Sequence, residues 1–204
     1  MTPPMPRVDL GRPATYDDVL AASELVVAEL VGDELWTSPR PAPRHAMAHG
    51  ALFARIRTAF GEGHDDRGGW VVVHEPEVHL GRHVLVPDIA GWRRERMPRL
   101  PDTAYFPLAP DWVCEVLSPS TEALDRSRKL PVYAGHGVGH AWLVDPAQRT
   151  LEVLRNEGGR WTPVATHEGA VTAAIEPFAA LPLDLGALWD EGVPHGSPAN
   201  PASG

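Results

Sequence analysis

The stretch Trp112-Val113-Cys114-Glu115-Val116-Leu117-Ser118 decides the fold of this 204-residue chain. Apolar side chains dominate it, so the pattern predicts a buried strand that carries the Glu115 carboxylate inward. A buried carboxylate is costly unless it is paired or bound to a metal. Eleven residues beyond Ser118 stands Lys129, the one lysine in the sequence. A desolvated lysine, unlike an arginine, can shift its pKa and exchange a proton.

The segments on either side predict an α/β fold with a mixed central sheet and added hairpins. Apolar residues at helical spacing predict a first helix over residues 44–60. Three strands follow, at residues 70–80, 84–92 and 112–117. A second helix should run from Ser118 through about Lys129, with Pro131 to kink or split it. A fourth strand is predicted at residues 141–144. Two hairpins are expected within residues 25–37 and 150–166. The predicted core order is therefore α-β-β-β-α-β.

Composition and length indicate one domain over residues 13–191, between a flexible tail at 1–12 and a disordered tail at 192–204. No apolar run approaches the roughly 18 residues of a membrane span, and no secretory signal is visible. The single cysteine, Cys114, fits a reducing cytoplasm and should be a buried core residue. A net charge of −9 argues against general coating of nucleic acid but leaves room for a local basic groove.

Asp88 and Glu115 are each a lone acid in an otherwise apolar predicted strand. Because the two strands are consecutive, their carboxylates could converge in one sheet, where a hard cation such as Mg²⁺ takes oxygen ligands. The plainer interpretation puts Asp88 at an exposed bend after Pro87 and Glu115 on a solvated face. The pattern alone leaves both interpretations open.

A combination of motifs resembles the Uma2 family, also called DUF820, of restriction-endonuclease-like proteins. The matching pieces are Val86-Pro87-Asp88, the run Trp112 to Thr121, Lys129, Tyr133-Ala134, Gly137-Val138 and Ala141-Trp142-Leu143-Val144-Asp145-Pro146. The resemblance covers about residues 14–190. It implies the PD-(D/E)XK nuclease fold, the restriction-endonuclease-like core whose order is also α-β-β-β-α-β.

The resemblance also implies roles for particular residues. Asp88 and Glu115 would bind Mg²⁺, with Mn²⁺ as a substitute, and Glu29 would be a further acid of the metal site. The lysine of the usual motif should stand at 117, where this chain has Leu117, and the resemblance assigns its role to Lys129. The hairpin turn Gly32-Asp33 reverses the usual order of the family.

The favoured interpretation is therefore a Mg²⁺-dependent endonuclease acting on DNA, with Asp88, Glu115 and Lys129 as catalytic residues. A protein that keeps the fold for binding or assembly without catalysis is the alternative. A zinc hydrolase built on the histidine pairs His45/His49 and His136/His140 is weaker still, because neither pair completes a His-Glu-x-x-His motif. The sequence is compatible with a homodimer.

Two further groups are candidates for substrate contact. The resemblance places His45 at the mouth of the first core helix. Between the two acidic strands lies a basic cluster of Arg93, Arg94, Arg96 and Arg99, interrupted by Glu95. A phosphate-contacting loop and a solvated loop fit this cluster equally well.

Overall fold

The computed structural model describes residues 7–39, 41–61 and 69–189. The strands are β1 (Arg7–Val8), β2 (Val26–Val31), β3 (Glu34–Pro39), β4 (Trp70–His74), β5 (Val78–Leu80), β6 (His83–Leu85), β7 (Ile89–Arg93), β8 (Trp112–Val116), β9 (His140–Asp145), β10 (Thr150–Asn156), β11 (Trp161–Glu168), β12 (Thr172–Ala173) and β13 (Leu183–Asp184). The α-helices are α1 (Tyr16–Leu20), α2 (Pro43–Ile56), α3 (Glu122–Leu124) and α4 (Leu130–Gly135). Two π-helical segments, Arg57–Gly61 and Asp125–Lys129, and one 3₁₀ turn, Gly186–Leu188, complete them.

A six-stranded mixed sheet forms the centre, in the order β11-β10-β9-β8-β7-β4. Strands β8 and β9 pair in parallel, whereas the other neighbouring strands of this sheet pair antiparallel. A parallel pair needs a crossover, and the helical segment from α3 to α4 provides it. With α2 ahead of β4, β7 and β8, the predicted α-β-β-β-α-β order and mixed sheet are confirmed.

A second sheet, in the order β1-β3-β2-β6-β5, contains the predicted hairpin of β2 and β3. The prediction that residues 70–80 and 84–92 each form one continuous strand is wrong, because each segment divides between the two sheets. Strands β4 and β7 pair in the central sheet, and β5 and β6 pair in the second. Pro76 and Pro87 lie at these breaks, where proline cannot donate to a sheet ladder. The result is one long hairpin, bent where it passes from sheet to sheet.

Both faces of the central sheet are buried. Helix α2 covers one face with Ala48, Leu52 and Ile56, which recur every fourth residue and are fully buried. Alternate residues of β8 divide between the faces, as a strand requires. Cys114 belongs to the α2 side and is fully buried, as predicted, whereas Val113 belongs to the opposite side with Leu130 and Tyr133 of α4.

Pro131 does not stop the helix after β8. The helix continues from α3 through a π-helical segment, Asp125–Lys129, into α4, with Pro131 in the first turn of α4. Proline has no backbone N–H to donate, and it follows directly on a π-helical segment, where the regular i−4 pairing of the helix is already interrupted. A wider π turn, which ends at Lys129, stands just before the proline.

The ends of the chain need one correction. Within the predicted tail at 1–12, Arg7–Val8 pairs with β3, and an ion pair between Arg7 and Glu34 at 2.8 Å supports it. The predicted tail at 192–204 lies outside the described residues. None of the helices in the described part of the chain has the length and apolar character that a membrane crossing requires.

Candidate active site

Asp88 and Glu115 are brought together by the register of two neighbouring strands. Ile89 of β7 lies opposite Cys114 of β8, so Asp88, one residue ahead of β7, falls beside Glu115. The backbone N–H of Val116 donates to Asp88 Oδ2 at 2.6 Å, which fixes the carboxylate across the strand pair. Glu115 is 2 % exposed. The solvent-facing interpretation of Glu115 is therefore wrong, and the buried strand is confirmed.

Lys129 reaches the same place from the helix that follows β8. Its side chain is 4 % exposed, and Nζ lies 2.9 Å from Glu115 Oε1 and 3.1 Å from Glu29 Oε1. Asp125 Oδ1 at 3.4 Å and the carbonyl oxygen of Val86 at 3.3 Å complete its surroundings. An ammonium group has three donors and no acceptor, so this shell of acceptors suits the charged form. The lysine turns inward.

Two residues support these groups from either side. The hydroxyl of Tyr133, one helical turn beyond Lys129, donates to Glu115 Oε1 at 2.7 Å. Glu29 Oε1 accepts the backbone N–H of Val86 at 2.7 Å as well as its contact with Lys129. Glu29 thus joins β2 of the second sheet to the cluster.

Histidines of α2 lie on the other side of Asp88. His45 Nε2 is 3.3 Å from Asp88 Oδ1, and the His45 side chain is 10 % exposed. His49, one helical turn further, is also buried. His136 and His140 do not share a helical face, because α4 ends at Gly135 and His140 begins β9.

Burial and charge set the protonation of the cluster. Burial raises the pKa of Glu115 well above its ordinary value, against the opposing charge of Lys129. Burial also raises the pKa of Asp125, to about 6. For Asp88 burial acts in the same direction, but the hydrogen bond and charge of His45 prevail and lower its pKa. Burial alone would lower the pKa of Lys129, yet Glu115 and Glu29 raise it well above the ordinary value. The cluster therefore favours an Asp88 carboxylate beside a Lys129 ammonium.

These side chains line a cavity of about 190 Å³ between the bent hairpin, α2 and the Ser118–Thr121 turn. Among the described lining residues, five carboxylates face one lysine and one histidine: Glu29, Glu75, Asp88, Glu115 and Asp125 against Lys129 and His45. Carboxylate oxygens are the ligands that hard divalent cations take. The donor set therefore fits the metal that the sequence predicts.

The basic cluster of Arg93, Arg94, Arg96 and Arg99 is not among the residues lining this cavity. It follows the far end of β7, and five residues of strand place Arg93 roughly 17 Å from Asp88. Arg93 stacks on the Trp70 ring at 4.1 Å, and Arg96 pairs with Asp111 at 2.8 Å. Arg94 donates to the carbonyl oxygen of Trp70 at 3.3 Å. Contact with substrate stays a prediction for these arginines.

Sequence reasoning missed several residues of the site. Asp125 stands four residues before Lys129, a spacing that places both on one helical face and could have indicated it. Tyr133 stands four residues after Lys129, so the same spacing applies. Nothing in the sequence indicated Glu75, because its place depends on the bend of the hairpin.

The order of the strands and helices, together with the site, indicates the class of protein to which this chain belongs. A mixed sheet in α-β-β-β-α-β order, with acids at neighbouring strand ends and a lysine on the next helix, is a restriction-endonuclease-like α/β core. The Uma2 family model, described as "Putative restriction endonuclease", matches residues 14–186. The chain belongs to the Uma2 family.

A solved structure supports the fold. The crystal structure of a "putative nuclease belonging to DUF820" from Anabaena variabilis superposes with a TM-score of 0.69 at 24% sequence identity. The match covers 89% of this chain and 100% of that chain. At this identity the likeness concerns the fold alone. No curated protein matches the chain.

Proposed function

We propose that this protein is a divalent-metal-dependent endonuclease that hydrolyses phosphodiester bonds of DNA. The observation that carries the proposal is the convergence of Asp88, Glu115 and Lys129 on one cavity, from two paired strands and the helix that follows them. Membership of a family described as "Putative restriction endonuclease" supports it. Phosphoryl transfer needs chiefly positioning and charge stabilisation, which a rigid cluster of charged groups on a sheet supplies.

Asp88 and Glu115 would hold the cation, for which Mg²⁺ is the natural candidate and Mn²⁺ a substitute. Such an ion, when bound, supplies Lewis-acid polarisation of phosphate and an acidified water. Glu29 has one oxygen 2.7 Å from the Val86 N–H and 3.1 Å from Lys129 Nζ. We assign Glu29 first to orienting Lys129, with metal ligation as a further role.

Lys129 would act as a fixed cation beside the reacting phosphate. Its ammonium is held by Glu115 and Glu29 at 2.9 and 3.1 Å, so few conformations are open to it. To donate to a phosphate oxygen or to the attacking water as charge develops, the ammonium would exchange one of its longer contacts, to Asp125 at 3.4 Å or to the Val86 carbonyl oxygen at 3.3 Å. This geometry favours orientation and charge stabilisation over a role as general base.

His45 would hold Asp88 in place rather than act on the substrate directly. Its Nε2 lies 3.3 Å from Asp88 Oδ1, while the Val116 N–H occupies Oδ2. The carboxylate therefore has a fixed plane. Fixing a ligand by hydrogen bonds from neighbouring groups is the common arrangement around protein metal sites.

The test is nicking of supercoiled plasmid DNA by the purified chain with Mg²⁺, Mn²⁺ or chelator. We expect cation-dependent nicking by the wild type and loss of at least about 100-fold in Asp88→Asn, Glu115→Gln and Lys129→Ala, because an oriented charged group contributes roughly that factor. The exposed Asp102 offers the matched control Asp102→Asn, which should nick like the wild type.

Two results would overturn the proposal. Nicking at the wild-type rate in Asp88→Asn or Glu115→Gln would show that the activity comes from elsewhere or from a contaminant. A wild type that binds Mg²⁺ but cleaves no supercoiled, linear or single-stranded DNA would favour the alternative, a nuclease fold kept for binding without catalysis.

A further inference from the structure

Three potential metal ligands meet on the α2 side of Asp88. One ring nitrogen of His49 and one carboxylate oxygen each of Glu75 and Asp88 lie within 4.8 Å of one another. We propose that these residues form a second cation site, distinct from the pair Asp88 and Glu115, for a divalent transition metal of the Zn²⁺ class. The proposal concerns metal binding and does not require nuclease activity.

The fold brings these residues together for a specific reason. Glu75 lies at the bend of the long hairpin with a left-handed φ of 44°, a conformation that costs energy for a residue with a side chain. Its backbone N–H donates to the Asp88 carbonyl oxygen at 2.8 Å, so the two acids are neighbours across the bend. His49 comes from α2, which packs over this edge of the sheet.

An independent observation points to a ligand for His49. Nε2 of His49 is buried and, within the described part of the chain, has no hydrogen-bond partner. The residue as a whole is 9 % exposed. Leaving a buried polar nitrogen without a partner is destabilising, because the nitrogen has lost its hydrogen bonds to water. A metal ion bound at Nε2 would give that nitrogen a partner and remove the cost.

The ligand types select the metal. Imidazole favours Zn²⁺ and its transition-metal neighbours over Mg²⁺, which prefers oxygen ligands and retains water. One histidine with two carboxylates leaves a fourth position open, as in zinc sites with three protein ligands. Ligand atoms about 2.1 Å from a tetrahedral ion are roughly 3.4 Å apart. The ligand atoms lie within 4.8 Å of one another, so side-chain rotations that bring them at most about 1.4 Å closer would reach that distance.

Asp88 would be shared between the two sites. Its oxygens already meet the Val116 N–H at 2.6 Å and His45 Nε2 at 3.3 Å. A carboxylate offers about four lone-pair directions, so coordination on both sides is compatible with these contacts. Lys129 and Glu115 lie on one side of Asp88, and His49 and Glu75 on the other.

The first experiment is calorimetric titration of the untagged, metal-free protein with Zn²⁺ alone. We expect His49→Gln and Glu75→Gln to weaken the tightest Zn²⁺ binding at least about 10-fold, because even indirect support of a metal site contributes about 10- to 100-fold. Glu115→Gln should leave that binding event in place while losing Mg²⁺-dependent nicking. His167→Gln, on β11, is the matched control and should bind Zn²⁺ like the wild type. Unchanged binding in His49→Gln would overturn the proposal.

The second experiment needs no variant. A wild-type crystal soaked in Zn²⁺ should show an anomalous peak within bonding distance of His49, Glu75 and Asp88. A peak confined to Asp88 and Glu115, or no peak in the cavity, would overturn the second site. The first of those results would still support the metal part of the proposed function, so the two proposals fail separately.

Discussion

Replacing Lys129 by methionine tests the charge balance of the buried cluster. The ammonium lies 2.9 Å from Glu115 Oε1, where attraction amounts to about 6 kcal/mol at an effective dielectric constant of about 20. Much of this is offset by the desolvation of both groups, but removing one partner of a buried pair costs about 3–5 kcal/mol. We therefore expect Lys129→Met to lower the free energy of unfolding by about that amount. For a chain of this length the melting temperature should fall by roughly 6–20 °C.

Urea denaturation and thermal scanning at neutral pH measure this change. The neighbouring Arg128 is 54% exposed and lies 3.9 Å from the Glu34 carboxylate, so Arg128→Met is the matched control. Its free energy of unfolding should stay within about 0.5 kcal/mol of the wild type, as for most surface substitutions.

A double-mutant cycle separates the pair from general damage to the core. Glu115→Gln in the Lys129→Met background removes a carboxylate that has lost its partner, so the double variant should recover about 1–3 kcal/mol relative to additivity. Mg²⁺ should also raise the melting temperature of Lys129→Met more than that of the wild type, because excess negative charge remains in the cavity. A loss below about 1 kcal/mol in Lys129→Met, with additive effects in the cycle, would refute the buried cluster.

Three further predictions follow from individual contacts. Burial raises the pKa of Asp125 from 3.8 to about 6, so the stability that its protonated form contributes is lost as pH rises through 6. The free energy of unfolding of Asp125→Asn should therefore rise relative to that of the wild type between about pH 4 and pH 7. A pH-independent difference between the two proteins in urea titrations would contradict this. Tyr133→Phe removes the 2.7 Å hydrogen bond to Glu115 and should cost about 1–3 kcal/mol in urea unfolding, and a neutral result would show that the bond contributes nothing. An added Cβ at Gly91 would lie 3.1 Å from the Trp112 ring and 3.2 Å from the Trp70 ring, so Gly91→Ala should lose about 1–3 kcal/mol in thermal denaturation, whereas Gly135→Ala, with open space around it, should not.

The parts of the site that sequence could predict are those marked by contrast with their surroundings. Glu115 is a single charge in a run of apolar residues, and Asp88 follows a proline between apolar segments. Such contrast marks a charged group as a candidate for a buried site without any knowledge of the fold, although the pattern alone also allowed a solvated position. The core order was predictable for a related reason, because helical spacing and apolar runs alternate clearly from α2 to β9.

The remaining parts depend on three-dimensional geometry that leaves no local mark. Whether residues 70–80 form one strand or two depends on which sheet each half joins, and the second sheet is assembled from distant segments. Glu75 reaches the site only because the hairpin bends there. Likewise, the alternation of residues predicts which side of the sheet Glu115 faces, but not that Glu29 from β2 will meet it.

The π-helical segment Asp125–Lys129 has a consequence for how the site tolerates changes in chain length. A π turn holds about one residue more than an α turn, and one residue corresponds to about 100° of rotation around a helix axis. Deleting Ser127 would restore ordinary α phase and turn either Lys129 away from Glu115 or Leu130 and Ala134 away from the core. The extra residue of the π turn thus lets Lys129 face the polar cavity while Leu130 and Ala134 face the core. A regular α-helix could place only one of these two faces correctly.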